Sequence, residues 1–326
     1  MRVFVAGASG AIGTRLVAQL IDRGHEVIGT SRSPASAARV RALGAEAIAL
    51  DLLDARAVRQ AVVEAEPDAI VHEATALADA RFSRNFDRTF AQTNRLRTEG
   101  TDNLLAAARA AGVRGFAAQS FASARHARVG GMVKTEDDPL DPTPMKGTEK
   151  SQAAMRYLDQ AVTDAGGVAL RYGGFYGASN DALIEPVRKR RFPIVGDGGG
   201  VSSWVHLDDA AAATVLALEQ NAAGIYNVVD DEPAPAREWL PVLARALGAK
   251  PPRHVPRWLA RLVAGDAAVM LGTESRGASN AKAKRELCWE LRHPSWREGF
   301  AAAYASIAAT DRPTSHPAAS TSHSTI

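Results

Sequence analysis

The chain is short of several things. It has one cysteine, Cys288, in 326 residues, which excludes an internal disulfide framework and any metal site built from several thiolates. It has no apolar run of about 18 residues, so no membrane span is expected. Its start, "MRVFVAGASG", has no apolar stretch leading to a cleavage site, so no secretory signal is expected. Net charge is only +3, too little to mark nucleic acid or an acidic membrane as a partner. What is present is ordinary globular composition, 46% hydrophobic and 23% charged, on a chain long enough to bury a large core. The expectation is a cytoplasmic protein that meets a small molecule, as a monomer or a homodimer.

Short apolar runs alternate with amphipathic stretches over the first part of the chain. "VFVAG", "EVIGTS", "AEAIALDL", "DAIVHEA" and "GFAAQS" read as strands. Between them "AIGTRLVAQLIDRG", "PASAARVRALG", "DARAVRQAVVEA" and a long stretch from Thr93 to Ala111 read as helices. This β-α-β-α rhythm predicts an α/β fold with a parallel, doubly wound sheet. A further helix after Lys150 and the strand "VALRYGG" continue the pattern; from Gly177 the order loosens. The tail "TDRPTSHPAASTSHSTI" is rich in Ser, Thr and Pro and reads as disordered.

"GASGAIG" places Gly7, Gly10 and Gly13 directly after a strand and at the start of a helix. The first glycine allows a tight turn, the second lets backbone approach a pyrophosphate, and the third packs helix on strand. With Ser9, Ala11 and Ile12 they form a candidate nucleotide-binding turn, its helix N-terminus facing phosphate. A bare structural turn is the alternative. The second strand ends in Ser31 and Arg32, where an NAD site would want Asp or Glu for the ribose hydroxyls. An arginine without an acid favours the 2′-phosphate of NADP(H) over NAD(H).

With these residues in place the chain resembles the extended short-chain dehydrogenase/reductases of the NAD-dependent epimerase/dehydratase family. "GASGAIG" is similar to the family's glycine motif. "LDLLD" is similar to the segment that meets the adenine, here Asp51 with Leu52. "IVHEAT" corresponds to a cofactor-lining strand end with Ala74 and Thr75, and Asn94 to a characteristic helix asparagine. "LRYGGFYG" corresponds to the strand passing the nicotinamide, with Gly173 and Phe175; "WVHLDDAAAA" and "YNVVDDEP" are later landmarks. The resemblance implies a Rossmann domain over 1–177 with its sheet completed by 224–231, a substrate-binding region over 178–310, and a tail at 311–326.

The family's chemistry uses a Ser or Thr after the fifth strand, a Tyr acid/base, and a Lys four residues later. In "PTPMKGTEKSQAA" the lysine is Lys150, but the tyrosine position is Lys146. At the hydroxyl position stands Phe121, with Ser120 and Ser123 displaced. No tyrosine lies between Pro139 and Met155, and Tyr157 follows Lys150 on the wrong side. The implied roles are therefore Lys150 on the nicotinamide ribose, and a proton from Lys146, Tyr172, Ser123 or the substrate's own hydroxyl. The same departures exclude dehydratases that need an Asp-Glu pair, since Ala122 and Ser123 stand there. They also exclude epimerases that need the tyrosine base. Phe121, Tyr176 and Trp204 are candidate substrate-binding residues and suggest an apolar or aromatic ligand. The run Arg188 to Arg191 falls near the family's substrate lid, or is a solvated helix end. His206 has no second His or Cys at ligand spacing, so no metal is expected.

The reading is an NADP(H)-dependent oxidoreductase that reduces a ketone on a small organic molecule. An epimerase or isomerase, or a non-catalytic NADP(H) sensor, is the alternative.

Overall fold

The computed structural model describes residues 1–77, 86–177 and 183–310. The tail predicted at 311–326 lies outside the described residues. Seven strands build one sheet: β1 Arg2–Ala6, β2 Glu26–Ser31, β3 Glu46–Ala49, β4 Ala69–His72, β5 Gly115–Phe121, β6 Val168–Tyr172 and β7 Gly224–Val228. Their order is β7-β6-β5-β4-β1-β2-β3, and every pairing is parallel. The order reverses between β1 and β4, so a crevice opens at the carboxyl ends of those strands.

The longer helices are α1 Ala11–Asp22, α2 Pro34–Ala42, α3 Ala55–Ala65, α4 Thr101–Ala111, α5 Glu149–Asp164, α6 Leu207–Glu219, α7 Ala236–Ala246 and α8 Trp296–Thr310. A parallel sheet must be covered on both faces. On one face Leu16, Val17 and Leu20 of α1 join Val215 and Leu218 of α6 over β1 and β6. On the other, Val58 and Val62 of α3, Leu104 and Leu105 of α4, and Leu158 and Val162 of α5 form the second layer. A third cluster sits in the C-terminal region, where Trp239, Leu240 and Leu243 of α7 meet Trp296, Phe300 and Tyr304 of α8.

Starts of helices are written locally. Ser33 accepts from the Ser36 N–H at the head of α2, with Pro34 in its first turn. Asp54 accepts from the N–H groups of Arg56 and Ala57 at the head of α3. The head of α5 is different, because its cap comes from far away. Asp87 accepts from the backbone N–H of Lys150 (3.0 Å) and Ser151 (2.8 Å) and from the Ser151 hydroxyl (2.8 Å). The Asp87 N–H in turn donates to Gly147 O. This fixes the loop that carries both candidate lysines.

Behind that loop lies a buried ion network. Arg125 is 1% exposed and donates to Ser120 Oγ (2.9 Å), Phe121 O (3.1 Å) and Asp159 Oδ2 (2.8 Å). Arg171 of β6 donates to the same Asp159 oxygen at 2.9 Å. Burial acts to raise the Asp159 carboxyl, but Arg125 and Arg171 hold it below its ordinary value. Breaking a buried pair leaves uncompensated charge in the interior, worth about 3–5 kcal/mol. Asp159→Asn is therefore expected to cost about 3–5 kcal/mol in urea-induced unfolding. A loss under about 1 kcal/mol, the range of an exposed pair, would show that the network does not anchor the fold.

Candidate active site

The nucleotide turn is built for close approach. Gly7 has φ +91°, and a Cβ there would stand 2.7 Å from Ala74 N. A Cβ on Gly13 would collide with the Gly7 carbonyl. Gly10, the first glycine beyond the turn, caps α1 with no side-chain hydrogen bond. The first N–H groups of α1 are thus not taken by a side-chain cap, the arrangement that receives phosphate. Ser9 is half-buried, Gly10 and Ala11 are exposed, and Ile12 is buried.

At the adenosine side, Ser31 is 4% exposed and its Oγ has no partner. A buried hydroxyl is seldom left unmade, so this orphan fits a ribose or phosphate. Arg32 beside it is exposed. Asp51 accepts from the Leu53 N–H at 3.0 Å and is exposed, while Leu52 is buried. Ala74 and Thr75 are half-buried beyond β4. The residues present fit a dinucleotide.

At the reacting end, Gly173 donates its N–H to Val228 O at 3.1 Å, and a Cβ on it would stand 2.7 Å from Ser203 O. Phe175 is half-buried against Tyr172, centroids 5.3 Å apart. Phe121 and Ser123 are half-buried on the segment leaving β5. Ser120 is buried and held by Arg125. Lys146 and Lys150 are both exposed; their loop is the one Asp87 holds. Tyr157, the nearest tyrosine in sequence, points elsewhere and donates to Asp102 at 2.6 Å.

Three expectations need correcting. Tyr172 is fully buried; its hydroxyl lies 3.0 Å from Glu73 Oε1 and 2.6 Å from Thr214 Oγ1. Burial pushes that phenol well above its ordinary range, and an ionised Glu73 would push it further, so it is no acid for a substrate. Tyr176, 1% exposed, packs edge-on to His206 and Phe300. Trp204, 5% exposed, packs on Trp239 and Phe300. Both are core side chains of the C-terminal cluster rather than lining for a ligand. In a buried strand, aromatic type alone does not say which side faces the cleft.

Sequence reasoning missed Glu73. It directly precedes Ala74, is 4% exposed, and its Oε2 has no partner. Burial raises its carboxyl to about 8, against a lowering contribution from the Tyr172 hydroxyl. Thr214 gives its proton to Ala210 O, so the single tyrosine proton cannot serve both neighbours. A protonated Glu73 completes the chain. The only forecast in the sequence was an acid inside the apolar run "AIVHEA".

His206, Asp208 and His293 bring ligand-type atoms within 4.8 Å of one another. The two imidazoles are stacked, centroids 3.8 Å apart and planes inclined 35°. An ion must lie near the plane of each ligating ring at about 2.0–2.1 Å from nitrogen, and stacked rings do not converge on such a point. His206 Nδ1 also accepts the Asp208 N–H that starts α6.

The profile of the NAD dependent epimerase/dehydratase family matches residues 3–229. The chain belongs to that family. It is 43% identical over 308 residues to a 3-diazoavenalumate denitrifying reductase of a Streptomyces species, covering 92% of this chain and 99% of the relative. A 2-alkyl-3-oxoalkanoate reductase of Stenotrophomonas maltophilia is 31% identical over 264 residues, 76% of each. Among solved structures, UDP-glucose 4-epimerase of Thermus thermophilus in complex with NAD superposes with a TM-score of 0.71 at 25% identity, over 96% of this chain and 100% of that one. The fold is Rossmann-like, and the enzyme is an oxidoreductase with a nicotinamide cofactor. No helix among the described residues is long and apolar enough to cross a membrane.

The raised Glu73 carboxyl gives a signed prediction. The folded state holds its proton up to about 8, the unfolded chain only to about 4.5. Stability attributable to Glu73 is then full below the lower value and is lost as pH rises toward the upper, at up to ~1.4 kcal/mol per pH unit. Asp230, raised by burial to about 8, adds to the same slope. Glu73→Gln mimics the protonated acid, so its unfolding free energy should fall less between about pH 5 and 8. Parallel slopes for wild type and variant in denaturant titrations would show that Glu73 is ionised in the fold.

Proposed function

We propose that this protein is an NADPH-dependent reductase whose acceptor is a diazo group on a small organic acid, released as nitrogen. The observation that carries the reading is the missing phenol. The position four residues before Lys150 is an exposed lysine, and Tyr172 is sealed in the core. The likeness to a reductase named for a diazo acid, over nearly the whole of both chains, supports it.

The chemistry follows from charge. The bound nicotinamide supplies a hydride. Reduction of a ketone leaves an alkoxide, which needs a proton or a well-placed cation at that oxygen. A diazo group reacting in its diazonium form needs neither: R–N2⁺ takes hydride to give R–N=NH, which collapses to R–H and N2. Gly7, Gly10 and Gly13 would admit the pyrophosphate, Lys150 would hold the nicotinamide ribose, and Ser31 with Arg32 would take the 2′-phosphate. Phe121 and Ser123 would flank the acceptor. Positioning alone can supply about 7–11 kcal/mol of rate acceleration.

The ketone reading stays as a second, favoured by the 31% relative named for a 3-oxo acid. It draws its proton from Lys146, Ser123 or the substrate. An isomerase or a sensor would consume no added cofactor. With a diazo acid, NADPH oxidation and nitrogen release should match one to one; with a ketone panel, turnover without any diazo activity would overturn the first reading. Lys146→Met should slow diazo reduction less than about tenfold, because losing a true general acid costs about 10²–10⁴-fold. A loss of that larger size, with cofactor binding intact, would make Lys146 the donor. Arg32→Ala should weaken NADPH by about 1.5–3 kcal/mol, the worth of a charge-assisted bond, and leave NADH unchanged; calorimetry showing equal affinities in the wild type would end the NADP assignment.

A further inference from the structure

A cavity opens where the candidate catalytic segment ends. Met145, Thr148 and Gln152 line it from the loop and helix that carry Lys146 and Lys150, and Ala124 lines it from the residue after Ser123. Its far wall comes from a distant part of the chain, with Met270 and Arg276, and its polar end includes His126, Arg128 and Asp141; the Asp141 carboxylate is already engaged by Arg128 and by the Thr143 N–H.

Two of these side chains hold polar atoms with nothing to bond. His126 is 3% exposed, yet neither Nδ1 nor Nε2 has a partner. Burial, then Arg171 and Arg125, push it down to about 4, so it stands as a neutral imidazole with one N–H to give. Arg276 donates Nη1 to Glu274 O (2.9 Å) and Nη2 to Arg128 O (3.1 Å), while its buried Nε has no partner. Both bonds go to carbonyls, and no carboxylate pairs with Arg276 among the described residues. Arg128 is different: Asp141 lies 3.4 Å and Glu274 3.5 Å from it. A guanidinium offers five donors in a fork that matches a carboxylate. A buried donor is costly to leave unmade, and Arg276 has no counter-charge among the described residues, so the wall suits an acceptor that brings one.

We infer that this cavity is a carboxylate subsite, in which Arg276 and the His126 N–H grip the acid end of the substrate, with Ala124, Met145 and Met270 beside it. The inference rests on the reductase reading for its orientation. The acid end then sits beside Ala124, Met145 and Thr148, and the rest of the molecule extends toward Phe121 and Ser123. The carboxylate is a binding group and does not react. Specificity follows, because a neutral analogue would leave the guanidinium without its counter-charge.

The test is calorimetry on the NADP⁺-loaded full chain with cinnamate, 4-hydroxybenzoate and hexanoate, each against its primary amide. At least one acid should bind about tenfold or more tightly than its amide, the discrimination expected where a charged hydrogen bond is lost. Arg276→Gln should abolish that preference without changing NADP⁺ affinity, and Arg276→Lys should restore part of it. Acids and amides binding alike in the wild type would overturn the subsite, whatever the variants do. A folded Arg276→Gln protein that keeps the full preference would overturn it too. A protein that reduces no diazo acid but prefers acids in this way loses the preceding reading and keeps this one. Nitrogen release without acid preference does the reverse.

Discussion

Asp159 sits under the reacting end and takes two guanidiniums, Arg125 and Arg171, on one oxygen. Much of the site is hung from it. Arg171 belongs to β6, Asp159 to the helix that begins with the Lys150 loop, and Arg125 to the segment leaving β5. Arg125 also holds Ser120 and the Phe121 carbonyl. One carboxylate thus sets the spacing of three elements that carry candidate site residues. It explains why Ser120, the serine nearest the family's hydroxyl position, is unavailable: its oxygen is committed to the network. The buried segment that follows places His126 at the cavity wall. Gln152, one turn along α5, ties it again by donating to Ala124 O at 2.7 Å.

At the other end of the cleft the constraint is steric. Gly7 and Gly13 leave no room for a Cβ against Ala74 and the Gly7 carbonyl. The turn, α1 and the end of β4 are therefore packed backbone to backbone. Glu73 stands in that packing, one residue from Ala74. Its side chain is directed toward Tyr172, whose hydroxyl also meets Thr214. A neutral carboxylic acid here knits β4, β6 and α6 without placing a charge beside the nucleotide. The pairing of an acid with a phenol, both buried, accounts for the tyrosine at 172.

The sequence made the sheet legible, because alternating apolar runs and amphipathic stretches admit few topologies. The nucleotide turn was legible for a related reason: only glycine tolerates such contacts, so spacing reports geometry. The reacting end was much less so. Strands covered on both faces carry apolar residues everywhere, and periodicity cannot then say whether Tyr172, Tyr176 or Trp204 faces a ligand or a neighbour. Asp87 caps the Lys150 helix from more than sixty positions away, and no local pattern announces such a partner. The cavity wall at Met270 and Arg276 comes from the region after Gly177, where the alternating pattern loosens. Long-range contacts of this kind appear only once the chain is folded.

The lost phenol also bears on direction. An enzyme that oxidises a hydroxyl must remove its proton as hydride leaves, and by microscopic reversibility the same group returns the proton in reduction. A tyrosine held near neutrality by a lysine serves both ways, which is what an epimerase needs, since it takes a hydrogen and gives it back. Lys146 and Lys150 as exposed cations cannot accept a proton while charged. A site furnished in this way is suited to reduction, and most of all to reduction of an acceptor whose product needs no proton at oxygen. Loss of N2 is such a case, and it is irreversible, so no selection for reverse catalysis remains to preserve a base. On this reading the substitution at 146 follows from the acceptor's chemistry: when the leaving group is a gas, the proton relay has nothing left to relay.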